Sequence, residues 1–400
     1  MTSTSANGAA APSLLKTGLV LGLLSTLGPL AIDLYLPAFP MVAHDLAASP
    51  AEVQRSLSIF FLALAAAQIP FGTLGDRFGR KRPLYAGLAL FVIASAGCAL
   101  AINAQSLILL RFIQGFGVCA GTAISRAMIR DLHTGHQAAR LLAFSFLIIG
   151  ISPVLAPVLG SALLMIGGWR MMFWLLAGLG LAGMLLAALA LPESLPAERR
   201  IAPNIGAMLH SYSTLLGNPR FIAAAAAAGL ATTVPYAFVT AAPFLFTRHF
   251  HLQPMQYSLL LGAAAICSIG TTQLSPRLMK HLGPKRLLML ITMAGPLVAL
   301  LMAALSLTGL MPLALFQLLV MAMFGLVGLM LTPAAITALD AAQAAGAAAA
   351  LLGTLQLVIT ALASALISLF AASTPVPLSL LLLGVFIIAH LCVRVAFRSR

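Results

Sequence analysis

The sequence predicts an all-α polytopic membrane protein, with twelve transmembrane helices in two pseudo-symmetric six-helix bundles. Three observations lead there. Of 400 residues, 61 % are hydrophobic and 8 % charged, with a mean hydropathy of +1.06, whereas soluble domains are roughly 45–50 % apolar. The apolar residues gather in runs long enough to cross a bilayer, which takes about 20 residues. The bases gather in every second loop.

Reading apolar runs between punctuating residues places the spans at 15–40, 52–74, 83–101, 106–130, 139–165, 170–191, 217–247, 255–279, 285–307, 312–335, 343–370 and 377–397. Residues 1–13 form a polar, Ala-rich tail, and Lys16 leads into a retained first span rather than a short cleavable signal. Spans 1 to 6 make a first bundle over 14–191. The Pro-rich stretch 192–216 reads as a linker on the cytoplasmic side, 217–397 makes a second bundle, and 398–400 is a short end. A transmembrane β-barrel requires short alternating segments, and the run Leu179–Leu191 does not alternate.

The formal charge of +14 invites a nucleic-acid reading, but its distribution excludes one. Of 22 Lys and Arg, three (Arg55, Arg170, Arg248) fall in loops on one side, Arg111 lies within a span, and the other eighteen fall on the opposite side. This is the positive-inside pattern. It predicts both termini in the cytoplasm and a multi-pass protein of the bacterial cytoplasmic (inner) membrane, in contact with membrane lipids, with no nucleic-acid partner. Cys98, Cys119, Cys267 and Cys392 all sit in apolar spans, without metal-ligand spacing. They read as small core residues, with no disulfide and no metal site.

The halves echo one another. Pro37 pairs with Pro243, Gly79 with Gly283 and Asp131 with Asp340, at offsets of 206, 204 and 209 residues. Near-constant offsets suggest a parallel internal repeat, the architecture of alternating-access carriers, whose site lies between the halves.

Eight acidic residues exist, and Asp33 alone falls within a span. A mid-helix carboxylate costs roughly 2.5–3.5 kcal/mol on insertion scales and usually faces a cavity or a partner. Gly22, Thr26, Pro29, Asp33 and Pro37 share one helical stripe. Arg111 is the one base well inside a span, and counting residues puts it at about the depth of Asp33. The pair is expected to interact in at least one carrier state, so that their separation couples proton movement to conformational change. The alternatives are a structural role for Asp33 and outward snorkelling for Arg111. Tyr35, Gln114, Tyr236 and Phe238 are candidate walls of a substrate cavity. Gln68, Gln273, Gln317 and Gln356 are mid-span amides, equally suited to interhelical hydrogen bonds. Arg126 and Arg130 read as helix-end bases, Arg170 as an interfacial anchor beside Trp169 and Trp174, and His390 as a weaker proton site.

The loop Gly72–Leu84 (GTLGDRFGRKRPL) sits between two apolar spans and closely resembles the major facilitator superfamily signature G-x-L-a-D-r-x-G-r-k. Gly72, Asp76, Arg77, Gly79, Arg80 and Lys81 fall on its pattern positions. Arg111–Gly117 (RFIQGFG) resembles the span-4 motif of proton-coupled carriers. Leu27–Pro40 (LGPLAIDLYLPAFP) and MIRDL at 128–132 are similar to the twelve-span drug/proton antiporter family, and within it to the Bcr/CflA drug-resistance subfamily. The antiporter motif of span 5, G-x-x-x-G-P-x-x-G-G, is only partly kept. Its positions read Ser152, Ala156, Pro157, Gly160 and Ser161, with an extra Pro153. A bend at Pro153, Pro157 and Gly160 survives this change.

The resemblance implies a monomeric multidrug exporter that exchanges amphipathic drugs for protons. Asp33 would carry the proton, and Gly72, Asp76, Arg77, Gly79, Arg80 and Lys81 would form the conformational-switch loop. No cofactor is expected; the proton gradient supplies the energy. With one intramembrane acid, neutral or weakly charged small-molecule drugs are better suited than dications. A proton symporter importing a metabolite is the alternative. The acids are too scattered for an enzyme site, and no GxxxxGK[ST] loop supports an ATP-driven pump.

Overall fold

The computed structural model describes residues 14–133, 135–200, 205–309, 311–342, 345–370 and 374–398. The expected tail (1–13), linker residues 201–204 and the last two residues lie outside the described residues. Among the described residues the chain is helical throughout, without a strand.

Ten helices among the described residues are long and apolar enough to cross a membrane. Two of these are double. Gly135–Ala190 runs for 56 residues and Pro254–Leu307 for 54. Either would measure about 80 Å if straight, against a hydrocarbon core of about 30 Å. Each breaks at a glycine of positive φ, Gly168 at +71° and Gly283 at +74°, where a side chain with a Cβ is disfavoured. The result is twelve spans. Span 1 is Leu14–Asp33, continued by a 3-10 turn and the short helix Phe39–Asp45. Span 2 is Pro50–Phe78, span 3 Lys81–Ala99 and span 4 Ala104–Leu132. Spans 5 and 6 cover 135–167 and 169–190, and span 7 is Pro219–Phe244. Spans 8 and 9 cover 254–282 and 284–307. Span 10 is Leu313–Asp340, span 11 Ala345–Leu369 and span 12 Pro375–Ala396. A further helix, Ile205–Leu216, precedes span 7.

Span 1 does not run unbroken to residue 40. Its α-helix stops at Asp33, and Pro37 forces a 3-10 turn at Leu36–Ala38. A helix that stops leaves its last carbonyls without intrahelical partners, and this end supplies part of the candidate site.

The internal repeat extends to backbone detail. Ser49 and Glu52 form a capping box at the start of span 2, and Gln253 and Gln256 form one at the start of span 8. Each cap is offset by 204 residues from its counterpart, with Pro50 matched to Pro254. The residues turning the chain into these helices, Ala47 and His251, have φ of +48° and +52° and share the same offset, as do Gly79 and Gly283.

The two sets of six spans meet along spans 2 and 11 and along spans 5 and 8. The hydrogen bonds joining them among the described residues lie at the end away from Gly79. Gln54 Nε2 donates to the Thr240 carbonyl at 3.1 Å, and Tyr257 donates to the Leu36 carbonyl at 3.2 Å. Ser58 donates to Ser364 at 2.9 Å, and Ser161 and Ser258 share a bond at 2.9 Å. Phe39 packs on Phe244, and Phe61 on Tyr236. Gly160 belongs to the same end. A Cβ there would strike the Leu34 carbonyl oxygen, so glycine allows span 5 to lie against span 1.

Candidate substrate and proton site

A cavity of about 290 Å³ opens between the halves, walled by spans 1, 5, 7, 8 and 10. Its wall is apolar apart from a few groups. Asp33 is the one charged residue there among the described residues, and Thr232, Tyr236 and Ser268 add hydroxyls. Pro29, Pro153, Pro157 and Pro235 also line it, so three wall-forming helices carry prolines, residues that favour a helix bend, beside the space. Asp33 is 5 % exposed. Its Oδ2 accepts a hydrogen bond from Ser152 Oγ at 3.1 Å.

Arg111 is fully buried and faces away from the cavity. Nη1 donates to the Ala31 carbonyl at 3.0 Å, one of those freed where span 1 ends, and to Gln114 Oε1 at 2.6 Å. Gln114 in turn donates to Ser95. The guanidinium lies over the rings of Phe60 (4.2 Å), Tyr35 (5.0 Å) and Phe173 (5.9 Å), contacts favoured for a desolvated cation. Nε and Nη2 have no hydrogen-bond partner. Asp33 and Arg111 are therefore unpaired in this structure.

Of the four residues expected on the cavity wall, Tyr236 is there. The other three are corrected by helical phase. The Tyr35 ring packs on Phe39 and Phe173, with its hydroxyl bonded to Ser56. Tyr35 follows Asp33 by two residues, about 200° round a helix, so it faces away from the Asp33 stripe. Gln114 is held inside the first half by Arg111 and Ser95. Phe238 sits in an aromatic cluster with Phe246, Phe316 and Phe324, and Phe324 takes its place on the wall. Ser152, Thr232 and Ser268 were not singled out as site residues. For Ser152 a signal existed, since it occupies a motif position where glycine is expected. Gly160 does not line the cavity; its neighbours in the bend, Pro153 and Pro157, do.

The switch-loop residues divide. Arg80, 8 % exposed, is the hub. Its Nε donates to Asp131 and its Nη1 to Asp76, both at 2.7 Å. Burial disfavours the charged guanidinium, yet the bonds to Asp131 and Asp76 outweigh it and hold Arg80 above its ordinary pKa. Glu193 of the linker accepts the backbone N–H groups of Arg80 (2.8 Å) and Lys81 (3.1 Å), capping span 3. Lys81 Nζ reaches the Leu191 carbonyl. Gly79, at φ +86°, brings the backbone so close that a Cβ would lie 2.7 Å from Glu193 Oε2. Arg77 lies over the Phe78 ring instead, and Gly72 has open space around it.

Elsewhere, Arg170 stacks on Trp169, and Trp169 Nε1 donates to Asp45. His390 shares a hydrogen bond with Thr292 away from the cavity, and Gln317 donates to the Leu260 carbonyl between spans 10 and 8.

The profile of the Major Facilitator Superfamily matches residues 21–364. The chain is 32 % identical over 383 residues to "Uncharacterized MFS-type transporter YdgK" of Bacillus subtilis, covering 94 % of each chain. It is 31 % identical over 260 residues to "Multidrug resistance protein MdtL" of Escherichia coli, covering 65 % of this chain and 66 % of that one. Among solved structures, an inward-facing bacterial homologue of the lysosomal transporter Spinster superposes with a TM-score of 0.72 at 16 % identity, over 97 % of both chains. The D-xylose-proton symporter gives 0.72 at 14 % identity over 96 % of both. Both likenesses concern the fold. A non-enzymatic, multi-pass membrane transporter follows, and the chain belongs to the Major Facilitator Superfamily.

Proposed function

We propose that this transporter is a proton-coupled drug exporter of the bacterial inner membrane, with both termini in the cytoplasm, working by alternating access. The observation that carries this reading is the cavity between the halves with one acid, Asp33, on its wall. A protonated Asp33 leaves the cavity uncharged, while an ionised one leaves a single negative charge among apolar groups. Proton and drug can then occupy the same cavity in alternate states, which is the coupling an exchanger needs. The Escherichia coli relative named as a multidrug resistance protein supports a drug as the cargo. The volume lies at the lower end of drug-sized pockets, and the sparse hydroxyls suit neutral or weakly charged amphipathic compounds, such as amphenicol-like antibiotics.

The test is a drug panel in an efflux-deficient host expressing wild type or Asp33→Asn. Resistance to neutral amphipathic drugs is expected with wild type and absent with the variant. Wild-type resistance from Asp33→Asn, or export of dications alone, would overturn the reading. Proton-driven import of a metabolite is the rival, favoured by the incomplete span-5 motif. The direction of flux in inverted vesicles separates the two.

A further inference from the structure

We infer that Ser152 is a positioning residue for Asp33, holding the carboxyl in place and setting the pH range over which the cavity acid exchanges its proton. The inference rests on the reading of Asp33 as the proton site.

The geometry is specific. A serine or threonine inside a helix ordinarily returns its hydroxyl to the carbonyl four residues back. Ser25, Thr26, Ser95 and Thr233 all do so here. Ser152 instead donates across to Asp33 Oδ2, from span 5 to span 1, at 3.1 Å. Both side chains are deeply buried, at 3 % and 5 % exposed. Asp33 lines the cavity and Ser152 does not. The hydroxyl therefore holds one carboxyl oxygen from behind, leaving Oδ1 without a protein partner among the described residues, free for a proton or a ligand. The next residue, Pro153, is itself on the cavity wall, so movement of span 5 at its bend alters the Ser152–Asp33 bond directly.

Among the described residues, no other charged group lines the cavity. Tyr236 of span 7 is the other titratable group on the cavity wall, and spans 5, 8 and 10 contribute none. Arg111 of span 4 is committed to Ala31 and Gln114. A hydroxyl donor favours the ionised carboxylate over the neutral acid. Its loss favours retention of the proton.

The test measures drug transport in proteoliposomes against pH for wild type and for Ser152→Ala, Ser152→Gly, Ser152→Cys, Ser152→Thr and Asp33→Asn. Ser152→Ala and Ser152→Gly should move the pH midpoint upward by about one unit, the scale of one hydrogen bond to a charged group. Ser152→Cys, a weaker donor, should give an intermediate displacement, and Ser152→Thr should restore the wild-type profile. A general packing defect would change rates without this ordering. Profiles for the Ala and Cys variants superimposable on wild type, with Asp33→Asn inactive, would overturn the inference while leaving Asp33 as the proton site. Unchanged pH-dependent transport by Asp33→Asn would overturn the underlying reading instead. The Cys variant leaves no void and keeps a weak donor, so the comparison stands even where the Ala or Gly protein fails to accumulate.

Discussion

Asp33 and Arg111 are both anchored to span 1 surroundings but hold different partners. The carboxylate takes the hydroxyl of Ser152 and borders the cavity, while the guanidinium takes the carbonyl of Ala31 and lies among rings of the first half. In this closed-seam form, neither charge neutralises the other.

Their effects on stability should therefore be independent. Asp33→Asn and Arg111→Gln, combined, should change stability by the sum of the single effects to within about 0.5 kcal/mol. Arg111→Ala alone should cost about 3 kcal/mol, because it empties an aromatic cage and strips donors from Gln114 and Ala31. Thermal unfolding in detergent measures both. A large coupling energy would mean that the two side chains meet in the resting protein.

The serine pair Ser161 and Ser258, 2.9 Å apart, gives a reporter of the closed seam. Ser161→Cys with Ser258→Cys should form a disulfide under mild oxidation, arresting transport until it is reduced. Failure to cross-link under any condition would exclude this packing of spans 5 and 8 from the working cycle.

Two glycines should respond oppositely to alanine. Gly160→Ala drives a methyl group onto the Leu34 carbonyl and should cost about 2 kcal/mol or more. Gly72→Ala meets open space, and mid-helix alanine is favoured by about 1 kcal/mol. Gly72→Ala should therefore be at least as stable as wild type, and any loss of transport would reflect a different carrier state. Stability and transport measured side by side decide this.

The paired helix caps differ in acid response. The backbone N–H and the hydroxyl of Ser49 both donate to Glu52 Oε2, at 2.9 and 2.8 Å. A protonated carboxyl is a weaker acceptor for these two donors, so the cap loosens when Glu52 takes up a proton. The counterpart pair, Gln253 and Gln256, does not titrate. Acidification that protonates Glu52 should lower the amide protection factors at the start of span 2 and leave those at the start of span 8 unaffected. Equal loosening at both would exclude the cap as the cause.

The spans were legible in the sequence and azimuth was not. Apolar runs of about 20 residues mark the spans, and the Gly- and Arg-rich loop marks the turn at Gly79. Counting residues from the span ends placed Asp33 and Arg111 at one level. It does not say how span 1 packs against its neighbours, and the Tyr35 ring lies against Phe39 and Phe173 of the first half. The bond from Ser152 depends on how span 5 packs against span 1, a contact between residues 119 positions apart. Glu193 as the cap of span 3 was hidden likewise, because the linker folds back onto a loop 113 residues earlier.

The seam between the halves is held by hydroxyls, an amide and aromatic faces, with no ion pair across it among the described residues. Parting it exposes hydroxyls that water can satisfy and rings that water cannot. The free energy of opening is then dominated by hydration of apolar surface, with the positive heat capacity that accompanies it. Temperature, more than ionic strength, should govern how often this end of the transporter comes apart.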